Sequence, residues 1–185
     1  MTILLAGGGT GGHVFPLIAV ADALRALAPE VPLAFVGTER GIETKVVPAR
    51  GYELELMKVL PLRGTGAAGI VRGALRAAGL VPEAFSLLQR RRVRAVFSVG
   101  GYAAGPISLA ARLRGLPLAL LEPNAVMGLA NWITAPMVDR AYLAFAEAEP
   151  AFPPARILRS GVPIRAGFTP QPYALGSGGL RILVL

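Results

Sequence analysis

The single histidine of this 185-residue sequence, His13, lies in the glycine-rich segment AGGGTGGHVFP, between an apolar run and an amphipathic one. A strand, a glycine turn and a helix N-terminus together present free backbone amides and a positive dipole end to an anion. The same dipole disfavours protonation of the imidazole, so we expect His13 to be a neutral base. The alternative is a glycine turn that only packs a helix tightly on a strand.

Two later turns carry residues that could take part in the same chemistry. Each turn follows a β-rich run, and the residues are Gly100, Gly101, Tyr102, Glu122 and Asn124. In an open parallel sheet the carboxyl ends of the strands line one crevice, where ligands bind. We therefore expect these turns to converge on His13. The alternative is that Glu122 and Asn124 only cap the next helix.

The elements that must position these residues alternate along the chain. β-rich runs at 2–6, 33–37, 94–100, 117–122 and 140–145 are separated by helix-length segments, which indicates βαβ units. Apolar residues of the first helical segment repeat at helical spacing, namely Val14, Leu17, Ile18, Ala21, Leu24 and Ala28. Pro16 is expected in the first turn of this helix. The pattern predicts an α/β fold with a Rossmann-like open parallel sheet.

Composition excludes several classes of site. Because cysteine is absent and there is one histidine, no disulfide framework, thiolate chemistry or Cys/His metal site is predicted. The apolar start is too short for a signal peptide, and a cytoplasmic setting fits. A net charge of +8 suits nucleic acid, anionic lipid or a phosphorylated substrate. Aromatic residues make up only 6% of the chain, which argues against the stacking platforms of a nucleic-acid-binding module.

The segment 69–92 mixes apolar residues with arginines. Arg72 and Arg76 interrupt an apolar run that is already too short for a transmembrane helix. A helix lying in the interface of an anionic bilayer needs both kinds of side chain, with Pro82 marking a bend or a break. The alternative, ordinary core packing of the apolar residues, stays open.

The end of the chain differs from the rest. Residues 169–179 are rich in proline, glycine and serine, which is typical of a linker, and the following LRILVL is the start of another buried strand. We therefore predict a Rossmann-like domain over residues 1–165. Residues 166–185 are expected to be a linker and the first strand of a further domain.

The glycine pattern also fits a different enzyme class. Gly7, Gly9 and Gly12 match the dinucleotide fingerprint G-x-G-x-x-G, so an NAD-dependent oxidoreductase is the alternative function. That fingerprint requires an acid at the end of the second strand, and Glu39 is the residue available there. A Walker A loop is excluded because His13, not lysine, follows Gly12.

Four motifs together resemble a known family. GGTGGHVFP (8–16), GGYAAGP (100–106), EPN (122–124) and GVPIR (161–165), in this order and spacing, resemble the N-terminal half of the MurG family. Its members are the undecaprenyldiphospho-muramoylpentapeptide β-N-acetylglucosaminyltransferases of bacterial peptidoglycan synthesis. The resemblance spans nearly the whole chain. It implies a GT-B architecture in which two Rossmann-like domains face each other across a cleft.

The resemblance also implies an activity. Lipid I, the acceptor, would bind mainly to this half, and UDP-GlcNAc mainly to a C-terminal domain. GlcNAc would pass with inversion to the 4-hydroxyl of the muramoyl sugar to give lipid II, without a required metal or other cofactor. The expected location is peripheral, on the cytoplasmic face of the bacterial inner membrane.

Site residues carry over from the matching motifs. The resemblance implies that residues reaching toward the donor are Thr10, Gly11, Gly12, Asn124 and Arg165. The acceptor diphosphate would lie between the loops 8–12 and 100–101, beside Tyr102. In an inverting transfer a base removes the proton of the acceptor hydroxyl; we expect His13 to be this base, with Glu122 as the runner-up or as the group that orients it. Leu121, Pro123 and Val162 depart from the family pattern, so no role is carried over to them.

Overall fold

The computed structural model describes residues 1–59 and 78–164. Within these ranges, seven strands form one sheet in which all neighbouring strands are parallel. The strands are β1 (Thr2–Gly7), β2 (Leu33–Thr38), β3 (Glu53–Met57), β4 (Val93–Gly100), β5 (Leu118–Glu122), β6 (Arg140–Leu143) and β7 (Ile157–Arg159). Their order across the sheet is β3-β2-β1-β4-β5-β6-β7. The predicted α/β open parallel sheet is confirmed.

Helices cover both faces of this sheet. The helices of the described residues are α1 (Gly11–Leu27), α2 (Glu43–Ala49), α3 (Val81–Arg90), α4 (Ala104–Leu113) and α5 (Leu129–Thr134), with short 3₁₀ turns at Ala135–Met137, Ala146–Ala151 and Pro154–Arg156. Leu5 packs with α1 and α2 in one cluster, whereas its neighbour Leu4 packs with α3 and α4 in the other. Successive side chains of a strand point to opposite faces, so a strand buried on both faces must be continuously apolar.

The five predicted strands are confirmed, with ends that differ by one or two residues. Two further strands were not predicted. β3 has the sequence ELELM and lies at the edge of the sheet, where exposed and partly buried glutamates are tolerated and the apolar signal is weak. β7 is three residues long and mostly exposed, so its pattern could not be distinguished from that of a loop.

Two expectations about α1 are wrong. The helix already begins at Gly11, so Pro16 lies inside it, in the second turn and not in the first. Because proline has no amide hydrogen, the carbonyl of Gly12 loses its usual helical donor. Ala28 follows the end of the helix as its C-cap, and its amide donates to the carbonyl of Leu24.

The predicted membrane segment is described only in its second half, since residues 69–77 lie outside the described ranges. In that half, Leu80, Val81 and Phe85 pack against the core, so the alternative of core packing is right for them. Pro82 lies in the first turn of α3, where a proline is well tolerated. No helix in residues 1–59 and 78–164 has both the length and the apolar character needed to cross a membrane. The expected boundary at residue 165 and the linker beyond it lie outside the described residues.

Candidate active site

The strand order reverses between β1 and β4, and a cavity opens outside the carboxyl ends of these strands. From β1 the chain runs outward to β2 and β3, and after crossing the sheet it continues from β4 to β7. Such a switch point is where open α/β sheets bind ligands. The cavity has a volume of about 850 Å³. A register shift pairs Gly7 with Gly100, so the two glycine loops leave the sheet side by side.

The structure brings most of the predicted site residues to this cavity. Those that line it are Thr10, His13, Gly101, Tyr102, Glu122 and Asn124, together with Gly8 and Gly9. Gly11 and Gly12 form the first turn of α1 next to it, and Gly100 is the last residue of β4, where the second loop begins. Arg165 lies outside the described residues.

Thr10 and His13 form a pair at the start of α1. Thr10 is the N-cap residue, but its side chain makes no capping hydrogen bond; its hydroxyl lies 3.1 Å from Nδ1 of His13. Burial lowers the pKa of His13 below 6.5, and the negative charges of Glu122 and Glu43 oppose this shift. The ring is therefore favoured in its neutral form, as expected, with burial as the largest cause.

Glu122 is completely buried, and donors surround its carboxylate. Oε1 accepts hydrogen bonds from the backbone amide of Asn124 (2.9 Å) and from its side-chain amide (3.0 Å). Oε2 accepts a hydrogen bond of 2.8 Å from Nδ2 of Asn131. The alternative that Glu122 and Asn124 cap the next helix is wrong, because the N-cap of α5 is Gly128 and no side chain caps it.

Asn131 is a site residue that the sequence did not reveal. It is buried in α5, and its Nδ2 also lies 3.4 Å from the carbonyl of Val99. Its Oδ1 is buried without a hydrogen-bond partner among the described residues. The available signal was an asparagine in the otherwise apolar segment LANWIT, since a buried amide normally has a hydrogen-bonding purpose.

The second glycine loop requires glycine at both positions. Gly100 and Gly101 have φ angles of +92° and +93°, which side chains other than glycine rarely adopt. A Cβ atom on Gly101 would lie 2.7 Å from the carbonyl oxygen of Gly8, and one on Gly100 would lie 2.8 Å from Oδ1 of Asn131. The loops after β1 and β4 are thus in direct contact.

Not every amide of the first glycine loop is free to bind an anion. The amide of Gly9 donates to Oε2 of Glu43 at 2.9 Å, another residue that sequence analysis missed. The amides of Gly11 and Gly12 have no acceptor within residues 1–59 and 78–164. An anion at this loop would therefore be bound through the first turn of α1.

The geometry also bears on the alternative of a dinucleotide site. Gly9 is the middle glycine of the fingerprint, and its amide is already engaged by Glu43. Glu39, the acid proposed to bind ribose, is exposed beyond the end of β2. The amide of Gly9 is therefore not available to a pyrophosphate.

The other side of the cavity is apolar. Its lining there includes Leu109, Met127 and Ile133, while Lys58 adds a cation. Val126, which lines the cavity, and Trp132, which lies in α5 between the lining residues Asn131 and Ile133, are 85% and 63% exposed. Within the described parts of the chain, no three His, Cys, Asp or Glu side chains are grouped so that they could hold a metal ion.

Comparison with known proteins places this geometry among the glycosyltransferases. The profile of the glycosyltransferase family 28 N-terminal domain matches residues 3–143. A protein of Sorangium cellulosum is 56% identical over all of this chain and 46% of its own length. One of Myxococcus xanthus is 43% identical over 89% of this chain and 43% of its own length. Both are named UDP-N-acetylglucosamine--N-acetylmuramyl-(pentapeptide) pyrophosphoryl-undecaprenol N-acetylglucosamine transferase. The chain spans about half the length of these relatives.

Solved structures show the same fold. MurG of Acinetobacter baumannii superimposes with a TM-score of 0.70 at 29% identity, over 85% of this chain and 44% of that one. The glycosyltransferase SsfS6 of Streptomyces sp. SF2575 gives a TM-score of 0.60 at 18% identity, over 82% of this chain and 53% of its own. The second likeness concerns the fold alone.

Proposed function

This chain belongs to glycosyltransferase family 28, and from that premise we propose that it is the acceptor-binding half of an inverting GlcNAc transferase. The whole enzyme transfers GlcNAc from UDP-GlcNAc to the 4-hydroxyl of the muramoyl sugar of lipid I and releases lipid II and UDP. The names of the relatives support this substrate pair. The observation that carries the proposal is the location of His13, whose pKa burial lowers, in one cavity with the loops after β1, β4 and β5.

His13 is the general base of this proposal. With a proton on Nδ1, the ring donates to the hydroxyl of Thr10, 3.1 Å away, and Nε2 keeps its lone pair for the proton of the acceptor hydroxyl. The lowered pKa of His13 keeps the ring unprotonated at neutral pH. As the proton moves to Nε2, the acceptor oxygen attacks the anomeric carbon and the bond to UDP breaks on the opposite face.

Glu122 organises the site in this proposal. Its two oxygens accept three N–H groups from Asn124 and Asn131, so most of its acceptor sites are already used within the protein. It holds Asn124 at the carboxyl end of β5, where that side chain can reach toward the donor sugar. Its charge also favours the imidazolium that forms at His13 during transfer.

The two ends of the lipid acceptor match the two sides of the cavity. The free amides of Gly11 and Gly12 and the cation of Lys58 suit a diphosphate. The apolar lining near Leu109 and Ile133 suits the isoprenoid chain next to it. The exposed side chains of Val126 and Trp132 support peripheral attachment to an anionic membrane surface, here the cytoplasmic face of the inner membrane.

UDP-GlcNAc requires a second domain in this proposal. The relatives are about twice as long as this chain, and residues 166–185 are the proposed linker and first strand of that C-terminal part. Thr10, Gly11, Gly12, Asn124 and Arg165 are proposed to contact the donor across the cleft. This half alone retains acceptor binding and lacks turnover.

Acceptor binding by this chain can be tested through its single tryptophan, Trp132, which lies beside the cavity. A short-chain analogue of lipid I is expected to change the tryptophan fluorescence in a saturable way. The matched ligand is the corresponding isoprenoid alcohol without diphosphate, which should bind much more weakly. Equal binding of both would contradict the role of the loop amides, and saturable binding of NADH instead would favour the oxidoreductase.

Turnover is tested after joining this chain to the C-terminal half that its relatives have. Radiolabelled GlcNAc should pass from UDP-GlcNAc to the lipid I analogue and form a β-glycosidic bond, which the anomeric coupling constant in NMR reports. Transfer with retention of configuration, or hydrolysis of UDP-GlcNAc without transfer, would contradict the proposal.

A further inference from the structure

Glu43 is a buried carboxylate that joins the loops after β1 and β2. It is the first residue of α2, and it is only 1% exposed. Its Oε1 accepts hydrogen bonds from the amide and hydroxyl of Thr38 at 2.8 and 2.9 Å, and its Oε2 accepts the amide of Gly9 at 2.9 Å. No cation pairs with it among the described residues. Burying a charge is costly unless donors satisfy it, so these three hydrogen bonds are what hold it there.

Three glycines make room for this carboxylate. Cβ atoms on Gly8, Gly37 and Gly41 would lie 2.2, 2.5 and 1.9 Å from the nearest side-chain atom of Glu43. None of these glycines has a positive φ angle. Space around Glu43, and not an unusual backbone conformation, is therefore the reason for glycine at all three positions. Part of the glycine-rich character of the first loop is thus explained by an internal anion.

The hydrogen bond to Gly9 fixes the peptide unit that leads to the site. Gly9 has a φ angle of +92°, and its amide is held by Glu43. The carbonyl of Gly8, in the same peptide plane, is the atom that Gly101 of the second loop approaches closely. Thr10 follows directly, and its hydroxyl is in contact with Nδ1 of His13. Rotation of this peptide would therefore move the Thr10–His13 pair.

Glu43 also acts on His13 through its charge. The acids that face the ring are Glu122, at the end of β5, and Glu43, and both raise the pKa of the ring against the larger effect of burial. Lys58 lines the same cavity from the loop after β3. Glu43 reaches the site from behind the loop and does not line the cavity, so it cannot contact substrate directly.

The geometry points to Glu43 as a positioning residue for glycosyl transfer, which holds the Gly8–Gly9 peptide and through it the orientation of Thr10 and His13. This inference rests on the proposed function. Two variants alter the carboxylate in different ways. Glu43→Gln keeps the length of the side chain, removes the charge and replaces one acceptor oxygen by an NH2 group, which cannot accept the amide of Gly9. Glu43→Asp keeps the charge and both acceptor oxygens and shortens the reach by roughly 1.5 Å.

The first experiment is an NMR titration of this chain, whose single histidine gives one imidazole signal. Glu43→Gln should lower the pKa of His13 relative to the wild-type protein, because a charge that favours the imidazolium is lost. Glu39→Gln is the matched control, since Glu39 is exposed on the same loop, and it should leave the pKa unchanged. An unchanged pKa of His13 in Glu43→Gln would overturn the inference.

A measurement on the wild-type protein covers the case in which the variants do not fold. Amide hydrogen exchange should be slow at Gly9, which donates to Glu43, and fast at Gly11 and Gly12, which have no acceptor in the described part of the chain. Exchange at Gly9 as fast as at Gly11 would overturn the inference.

The last experiment uses the whole enzyme, with this chain joined to the C-terminal half. Glu43→Asp should lower kcat by about 100-fold per folded molecule, as misplacement of a reacting group by roughly 1 Å does, with little change in the KM for UDP-GlcNAc. In Glu43→Gln the acidic limb of the profile of kcat/KM against pH should move to lower pH together with the pKa of His13. Wild-type kinetics in both variants would overturn the inference.

Absence of transfer by the wild-type enzyme would instead overturn the proposed function, while the NMR and exchange results still decide whether Glu43 holds the loop.

Discussion

At the scale of single residues, the site depends on an imidazole that stays neutral while two carboxylates lie nearby. Burial lowers the pKa of His13, and Glu122 and Glu43 limit how far it falls. Three N–H groups donate to the carboxylate of Glu122, whereas Nδ1 of His13 lies beside the hydroxyl of Thr10. We therefore propose His13 as the base, because its Nε2 is left to take up a proton when Nδ1 donates to Thr10.

Replacing His13 tests this assignment. His13→Ala in the whole enzyme should lower kcat by about 10²–10⁴-fold, the usual contribution of a positioned general base. Steady-state transfer of GlcNAc measures it, with Glu122→Ala in parallel. Near-normal activity in His13→Ala combined with a loss of several orders of magnitude in Glu122→Ala would make Glu122 the base.

The pH dependence of the wild-type enzyme follows from the same pKa. The base must be unprotonated, and the pKa of His13 lies below 6.5. Activity should therefore persist below pH 6.5 and decline only as the pH falls through this lowered pKa. The profile of kcat/KM against pH measures it, and an acidic limb above pH 6.5 would contradict the environment described for the ring.

At the scale of elements, the site is built where loops after neighbouring strands pack on one another. Gly101 contacts the carbonyl of Gly8, Glu43 joins the loops after β1 and β2, and Asn131 of α5 connects β4 with β5. Each of these contacts links segments that are distant in sequence. Stability and site geometry are therefore coupled at the carboxyl edge of the sheet.

Gly101→Ala tests the contact between the two glycine loops. A side chain there would need a φ angle of +93° and would come within 2.7 Å of the carbonyl oxygen of Gly8, so the free energy of unfolding should fall by about 1–3 kcal/mol. Gly105→Ala is the control. Gly105 lies inside α4, and its added Cβ would be 3.6 Å from the side chain of Ala130 in α5, which is an ordinary contact. Because alanine has the higher helix propensity, this variant should be neutral or stabilising by up to about 1 kcal/mol. Urea unfolding measures both, and equal effects would contradict the packing of the loops.

Tyr52→Phe tests the attachment of α1 to the segment before β3. The hydroxyl of Tyr52 donates to Asp22 at 2.7 Å. Burial is the larger cause and this hydrogen bond the next one that raises the pKa of Tyr52 to about 12. Loss of this hydrogen bond should lower the free energy of unfolding by about 1 kcal/mol. Tyr142→Phe, which keeps its ring contact with Phe97, should lower it by less.

The pH dependence of stability tests the same hydrogen bond. Because the pKa of Tyr52 in the folded state is raised above 10, its contribution to stability is complete below pH 10 and is lost as the pH rises toward 12. Unfolding measured from pH 9 to 12 should show this decline in the wild-type protein and not in Tyr52→Phe.

At the scale of the whole molecule, the reversal of strand order between β1 and β4 decides where the site lies. The cavity, the free amides of the first turn of α1 and the exposed side chains of α5 all lie at this edge. In the proposed function, a lipid-linked acceptor bound there would have its isoprenoid chain close to the exposed apolar side chains. Membrane attachment and acceptor binding are thus proposed to use one edge of the sheet.

Vesicle flotation tests this orientation. The protein should float with anionic vesicles and not with neutral ones, and Trp132→Ala should weaken binding by about tenfold, the value of one buried aromatic side chain. The matched control is Leu27→Ala, because Leu27 is 83% exposed but lies at the far end of α1. Equal loss in both variants, or no flotation with anionic vesicles, would contradict membrane attachment through α5.

The sequence by itself determined the parallel α/β sheet, the two glycine loops and the cavity lining of His13, Tyr102, Glu122 and Asn124. It could do so because continuous apolar runs, helical spacing of apolar residues and glycine turns are local signals. The edge strands β3 and β7 and the start of α1 escaped it, because short or half-exposed elements depend on their neighbours.

Only the tertiary structure decided what surrounds the reacting group. Gly9 and Glu43 are 34 residues apart in the chain, and Asn131 meets Glu122 and Val99 from a helix of six residues. No local pattern identifies these partners. A buried carboxylate or amide must form hydrogen bonds. Its partners are the groups that the folded loops place next to it, and these groups are distant in the sequence.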